Sequence, residues 1–295
     1  MNVSPALLDM LCFTSIGLLG MGYYFKHNDR YVLRSAGFFL FGLFWALRTP
    51  EFWSTGDMVN TFFVAMALPF FSYIGFEELD VFLGKKKESS RGLEMLTGGV
   101  FFASLAYFSI AKMPFVSGSI IEMVASHSTW LSNAIGGEYS VGSVVYPAGS
   151  RWISSGFSVD DEIAAPIFRA DGSSVVYIIF ACTGIQSILI FSGPILYTKR
   201  AGWYEKMHIL AIVLPTIYIL NIIRNSSIIY MVDELGWSGQ FAHDYVAKAG
   251  SLVALLFLAF LTFKIVPGIL DDVNDVVEIF SRRKQRSPPS KPSPP

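Results

Sequence analysis

Long apolar runs separated by short charged connections dominate the chain. They predict membrane-spanning helices at roughly 6–25, 33–50, 58–76, 93–112, 174–197, 207–231 and 242–265. Each run reaches about 18 residues or more, the length a helix needs to cross about 30 Å of hydrocarbon. The second stops at Arg48, Thr49 and Pro50, because the residue before a proline is pushed out of the helical region. The first has no basic segment ahead of it, so it is read as a retained helix and not a signal peptide. The connections alternate in charge. Lys26, Arg30 and Arg34 fill the first, Lys85, Lys86, Lys87 and Arg91 the third, and Lys199, Arg200 and Lys206 the fifth, while Arg282, Arg283, Lys284 and Arg286 follow the last span. The second connection carries Glu51 and Asp57, and the sixth, Asp233 to Phe241, is acidic. An excess of Lys and Arg marks cytoplasmic connections. The N-terminus is therefore expected outside and the C-terminus in the cytoplasm of a multi-pass plasma-membrane protein.

Residues 113–172 interrupt the series as an extracytoplasmic insertion. Between Ser117 and Ile135, apolar Ile120, Val124, Leu131 and Ile135 recur at helical spacing beside Ile121 and Trp130. That pattern predicts an amphipathic helix lying on the outer surface. From Glu138 to Ile153 the alternation of Tyr139, Val141, Val144 and Tyr146, broken by Gly142 and Pro147, predicts short strands. The expected fold class is an all-α polytopic membrane protein of about seven transmembrane helices with a small extracytoplasmic insertion of mixed helix and short strands. Its parts are residues 1–112 with four spans, the insertion 113–172 as a possible cap, residues 173–266 with three spans, and a cytoplasmic tail 267–295. In the tail, Asp271–Arg286 reads as a short solvated helix and the proline-rich Ser287–Pro295 as disordered. No internal repeat suggests an inverted-repeat transporter.

Composition supports the membrane reading: 53% of residues are hydrophobic and 15% charged, against about 25% charged in soluble domains. Mean hydropathy is +0.49. A net charge of -1 gives no sign of nucleic-acid binding. The two cysteines, Cys12 and Cys182, exclude a disulfide-rich ectodomain. His27, His127, His208 and His243 are dispersed without ligand spacing, so neither a metal nor a cofactor is expected.

Ionisable groups inside spans are costly and therefore candidates for function. Arg224 near a helix centre costs about 2.5–3.5 kcal/mol on insertion scales. Asn221, Arg224 and Asn225 share one helix face at i, i+3 and i+4. That face is expected to look into the bundle; snorkelling to the outer surface is the other reading, and insertion cost favours the first. Cys182 is expected about two turns below the outer end of the fifth span, with Gln186 on its face at i+4 and Gly184 admitting a neighbouring helix. A lone buried cysteine is ordinarily a small hydrophobe. A fixed cation beside it would instead favour the reactive thiolate. Cys12 has Asp9 at i−3 and is read as packing. His243 tops a small-residue face, Ala247, Gly250 and Ala254, suited to close helix packing. Lys248 is expected to point away from that face, and Lys264 lies at the cytoplasmic end. With the expected orientation, Cys182, Arg224 and His243 all fall in the outer half of the membrane.

The segments ACTGIQS at 181–187 and LNIIRN at 220–225, with cysteine, arginine and histidine in that order on late spans, resemble the exosortase/archaeosortase family, the archaeosortases in particular. The resemblance lies mainly in residues 174–265. It implies a membrane cysteine transpeptidase that removes a C-terminal sorting signal from secreted proteins and transfers them to a lipid anchor. It also implies Cys182 as nucleophile, Arg224 as oxyanion or thiolate partner, and a third basic group, His243, where some members carry a second arginine. Gln186, Asn221 and Asn225 would support them. The expected partners are secreted proteins with a C-terminal hydrophobic segment and a membrane lipid as acceptor. The competing reading is a transporter or channel with Arg224 as an anion-binding residue.

Overall fold

The computed structural model describes residues 3–146 and 163–282. In chain order they form α1 (Pro5–Tyr24), α2 (Arg30–Leu47), α3 (Thr49–Ser54), α4 (Met58–Phe82), α5 (Arg91–Ala111), α6 (Pro114–Ala134), β1 (Tyr139–Val141), β2 (Ala164–Arg169) and β3 (Ser174–Ile179). A 3-10 turn, Phe180–Thr183, leads to α7 (Ile185–Tyr197), α8 (Trp203–Asp233), α9 (Gly239–Phe241), a π-helical segment Ala242–Ala247, α10 (Lys248–Ile265) and α11 (Pro267–Arg282). Among the described residues, six helical stretches are long and apolar enough to cross a membrane: α1, α2 with α3, α4, α5, α8 and Gly239–Ile265. The chain is a multi-pass membrane protein. Several helix starts are set by capping: the side chains of Ser4, Asp57 and Ser90 accept from backbone N–H groups of α1, α4 and α5.

The expected fifth span, 174–197, is built differently. Its first six residues are β3, the turn follows, and helix begins only at Ile185. A short run of consecutive apolar residues such as Val175 to Ile179 fits a buried strand as well as a helix. Asp171 and Gly172, with Gly172 at φ +81°, supply the hairpin turn that joins β2 to β3. The sheet is antiparallel in the order β1-β2-β3. Tyr139 pairs with Arg169 and Val141 with Ile167, while Ala164 pairs with Ile179 and Ile167 with Val176. Of the strand alternation expected from 138 to 153, β1 and a bridge from Val145 to Ala164 are present. Residues 147–153 and the proline-rich segment 287–295 lie outside the described residues.

The sheet and α6 share one core with α8: Ile121, Val124 and Ala125 of α6 meet Ala165, Ile167 and Ile178 of the sheet and Ile222 and Ile229 of α8. This corrects the expected face of α6. Ile121 and Val124 are buried together with Ser117, Ser128 and Ser132, whereas Trp130 and Ile135 are exposed. The buried stripe is small and partly polar because it abuts another helix: the Ser226 hydroxyl of α8 donates to the Ser128 carbonyl at 2.8 Å. At 31 residues, α8 is about 46 Å long, enough to cross a bilayer and still reach the sheet. There Asp233 accepts from the Tyr139 hydroxyl at 2.6 Å and pairs with Arg169. Burial and this carboxylate push the Tyr139 phenol above its usual range.

At the other end of the bundle the basic connections fold onto carboxylates. Arg34, 1% exposed, donates to the Gly22 carbonyl at 2.8 Å and lies 3.7 Å from Glu78 and 3.9 Å from Glu94. Glu78 is fully buried in the last turns of α4, beside Glu77 and Asp80 in sequence. The tail helix α11 is not simply solvated: Asp272 is buried, accepting from Thr198 at 2.6 Å and Arg200 at 2.7 Å. Lys264 lies in the last turn of α10, at this same end.

Candidate functional site

At the sheet end, β3 delivers the chain into the turn that carries Cys182. The cysteine therefore stands just before α7 and not two turns inside a helix. Gly184 terminates the turn at φ +77°, and an added Cβ there would meet the Asn221 side chain at 2.9 Å. Only glycine satisfies both the left-handed backbone and the approach of α8. The Cys182 carbonyl accepts two hydrogen bonds from α8, from Asn221 Nδ2 at 2.9 Å and Asn225 Nδ2 at 3.0 Å. Thr183 closes the turn by donating to the Phe180 carbonyl at 2.7 Å. The thiol is 4% exposed and packed in the core shared by α6, the sheet and α8.

His243 comes from the π-helical segment, an irregularity often found at functional positions because it re-aims side chains. Its Nε2 lies 3.6 Å from Cys182 Sγ. Its Nδ1 faces Asp244 Oδ1 at 2.8 Å. Asp244 is paired in turn with Lys248 Nζ at 3.0 Å, and Lys248 reaches Asp57 Oδ2, the cap of α4, at 2.5 Å. The structure thus turns Lys248 toward the site, against the expectation that it points away. A carboxylate adjoining His243 in sequence was the only signal for Asp244. Nothing local marks Asp57.

Arg224 is half-buried and lines a groove of about 340 Å³ between α8, α10 and the start of α7. Gly184, Ser187, Asn221, Gly250 and Ala254 line it too. Among the described residues Arg224 has no carboxylate partner. Of the small-residue face expected to pack closely, Ala247 is buried in a cluster with Ile228, but Gly250 and Ala254 of α10 line the groove, and nothing lies within 4 Å of a Cβ added at Gly250. They leave room for the groove instead. Gln186, expected on the face of Cys182, lines a different, aromatic cavity with Trp45, Phe71 and Tyr107. Helix begins only at Ile185, so the i+4 relation from Cys182 does not apply. Cys12 is fully buried in a separate cluster with Phe41 and Phe108. No group of three or more metal-ligating side chains occurs among the described residues.

The arrangement combines a thiol, an imidazole within contact distance and a guanidinium facing a groove. These elements can form, hold and discharge an acyl-thioester. Residues 10–263 match the family described as transmembrane exosortase. The chain is 25% identical to Archaeosortase A of Haloferax volcanii over 305 residues, covering 92% of this chain and 94% of that protein. No solved structure matches.

Proposed function

The chain belongs to the transmembrane exosortase family, and from that premise we propose that it is a membrane-embedded cysteine transpeptidase that cuts a C-terminal sorting signal from secreted proteins. The observation that carries this reading is the 3.6 Å contact between Cys182 Sγ and His243 Nε2 beside the groove lined by Arg224. In the proposed reaction His243 takes the thiol proton and the Cys182 thiolate attacks the scissile carbonyl. A carbon–sulfur bond forms, and the carbonyl electrons move onto oxygen, where the Arg224 guanidinium stabilises the charge. His243 then returns the proton to the leaving amine as the carbon–nitrogen bond breaks, leaving a thioester on Cys182. A hydroxyl or amine, proposed to be lipid-borne, gives its proton to His243 and attacks the thioester. The substrate becomes attached to the lipid and the thiolate is regenerated.

The groove suits a substrate held in the bilayer by its own apolar segment, since its wall is mostly apolar with Arg224, Asn221, Ser187, Ser227 and Ser251 interspersed. The loop charges support placing the sheet end outside the cell, where secreted substrates arrive. A transporter using Arg224 as an anion site would leave the thiol–imidazole contact without a role. The test is Cys182→Ala in cells that make a secreted protein with a C-terminal hydrophobic segment. Processing, followed by gel mobility, is expected to stop while the variant stays in the membrane at normal abundance. Unchanged processing would remove Cys182 from the reaction.

A further inference from the structure

One ion-paired chain at the site has no place in the reaction just described. His243 Nδ1 meets Asp244 Oδ1, Asp244 meets Lys248 Nζ, and Lys248 meets Asp57 Oδ2 at the start of α4. We propose that Asp244 is a positioning residue for His243, and that Lys248 and Asp57 clamp Asp244 in place from α10 and α4. This inference rests on the reading of Cys182 and His243 as a thiol–base pair.

The physical case begins with the imidazole. In its neutral form one ring nitrogen carries the proton and the other accepts, and the hydrogen bond made by one decides the state of the other. A carboxylate can only accept, so Asp244 requires the proton on Nδ1 and leaves the Nε2 lone pair facing Sγ. When Nε2 takes the thiol proton, the imidazolium is stabilised by the same carboxylate. Without Asp244 the ring could hold its proton on Nε2 and lose its function as base, or rotate away from the thiol.

The clamp explains why this carboxylate stays put. Asp244 sits in the π-helical turn and receives both His243 Nδ1 and Lys248 Nζ on one oxygen, Oδ1. Lys248 lies one turn further on and is 19% exposed between carboxylates that are 16% and 14% exposed. Asp57 is itself fixed, accepting from the Asn60 backbone at 3.1 Å and the Asn60 amide at 2.8 Å. A second tie across the same junction runs from Gln240 Nε2 to the Thr55 carbonyl at 3.3 Å. The groups in contact with His243 are therefore Cys182 and Asp244, one at each ring nitrogen, with Lys248 and Asp57 acting through Asp244. An isolated surface pair would contribute little. Here two carboxylates share one ammonium, which leaves Asp244 enough negative charge to hold an imidazolium.

The test needs no substrate. The full-length protein in detergent micelles is treated with iodoacetamide at pH 7, and alkylation of the Cys182 peptide is followed over time by mass spectrometry, with Cys12 resolved on its own peptide. Because the thiolate is the nucleophile, the rate reports how well the base is poised. Asp244→Asn is expected to slow Cys182 alkylation about 10-fold or more, His243→Ala to slow it at least as much, and Asp244→Glu to recover part of the rate. Asp244→Asn within twofold of wild type, with His243→Ala slow, would overturn the positioning role and leave the thiol–base pair standing. A wild-type rate in His243→Ala would instead refute the pair itself. Should Asp244→Asn fail to accumulate, Asp57→Asn, remote from the thiol, is expected to slow alkylation as well, and a wild-type rate there would overturn the clamp.

Discussion

Cys182 and His243 stand 61 residues apart in the chain and bring Sγ and Nε2 to 3.6 Å. One side chain is aimed by a turn at the end of a strand and the other by a π-helical segment. Their meeting depends on the sheet being docked against α8, because the Cys182 carbonyl hangs from Asn221 and Asn225 of that helix. The contact is therefore a property of the assembled core of α6, the sheet and α8, and loosening any of its supports should separate the pair.

Arg224 should matter for turnover more than for stability, since it lines the groove without a carboxylate partner among the described residues. Losing an oxyanion donor typically costs on the order of 10²–10³ in rate. Arg224→Gln is expected to lose processing by about that factor while membrane abundance stays normal. A fall in abundance that matches the fall in processing would assign the residue to folding.

Gly184→Ala places a side chain on a left-handed residue, at about 1–2 kcal/mol, and drives it into Asn221, 2.9 Å away. The expected outcome is a lower unfolding temperature in detergent together with lower processing, since the same shift moves Cys182. An alanine variant with wild-type melting and processing would show that the turn relaxes freely.

Asn221 and Asn225 donate to one carbonyl, so either can satisfy it when the other is lost. Leaving a buried acceptor with no partner costs about 1–3 kcal/mol. Asn221→Ala and Asn225→Ala are therefore each expected to be milder than half of the double variant, with a coupling energy above about 0.5 kcal/mol in a double-mutant cycle. Strict additivity would contradict the shared role.

The buried Arg34–Glu78 pair should behave asymmetrically. Arg34→Leu leaves Glu78 fully buried without its ion-pair partner, held by the Ser89 hydroxyl at 2.7 Å, and breaking a buried pair typically costs about 3–5 kcal/mol. Glu78→Gln, which removes the charge but keeps the shape, is expected to cost less. The double change Arg34→Leu with Glu78→Leu should recover part of the loss. Denaturant titration in micelles reads all three.

Membrane crossing depends on local composition, so the apolar runs over α1, α2, α4, α5, α8 and α10 sufficed to predict helices there. Helical periodicity likewise sufficed to group Asn221, Arg224 and Asn225, because neighbours on a helix face are set by the backbone alone. The stretch 174–184 escaped because a short strand of consecutive apolar residues looks like a helix until its partner strand is known, and that partner is β2. Gln186 was misplaced for the same reason, a spacing rule applied across a turn. Tertiary structure alone decided the contact of Cys182 with His243, the clamp from Asp57 through Lys248 to Asp244, and the groove beside Gly250. Each joins residues far apart in the chain. Such contacts are selected by how whole elements pack, which no local pattern encodes.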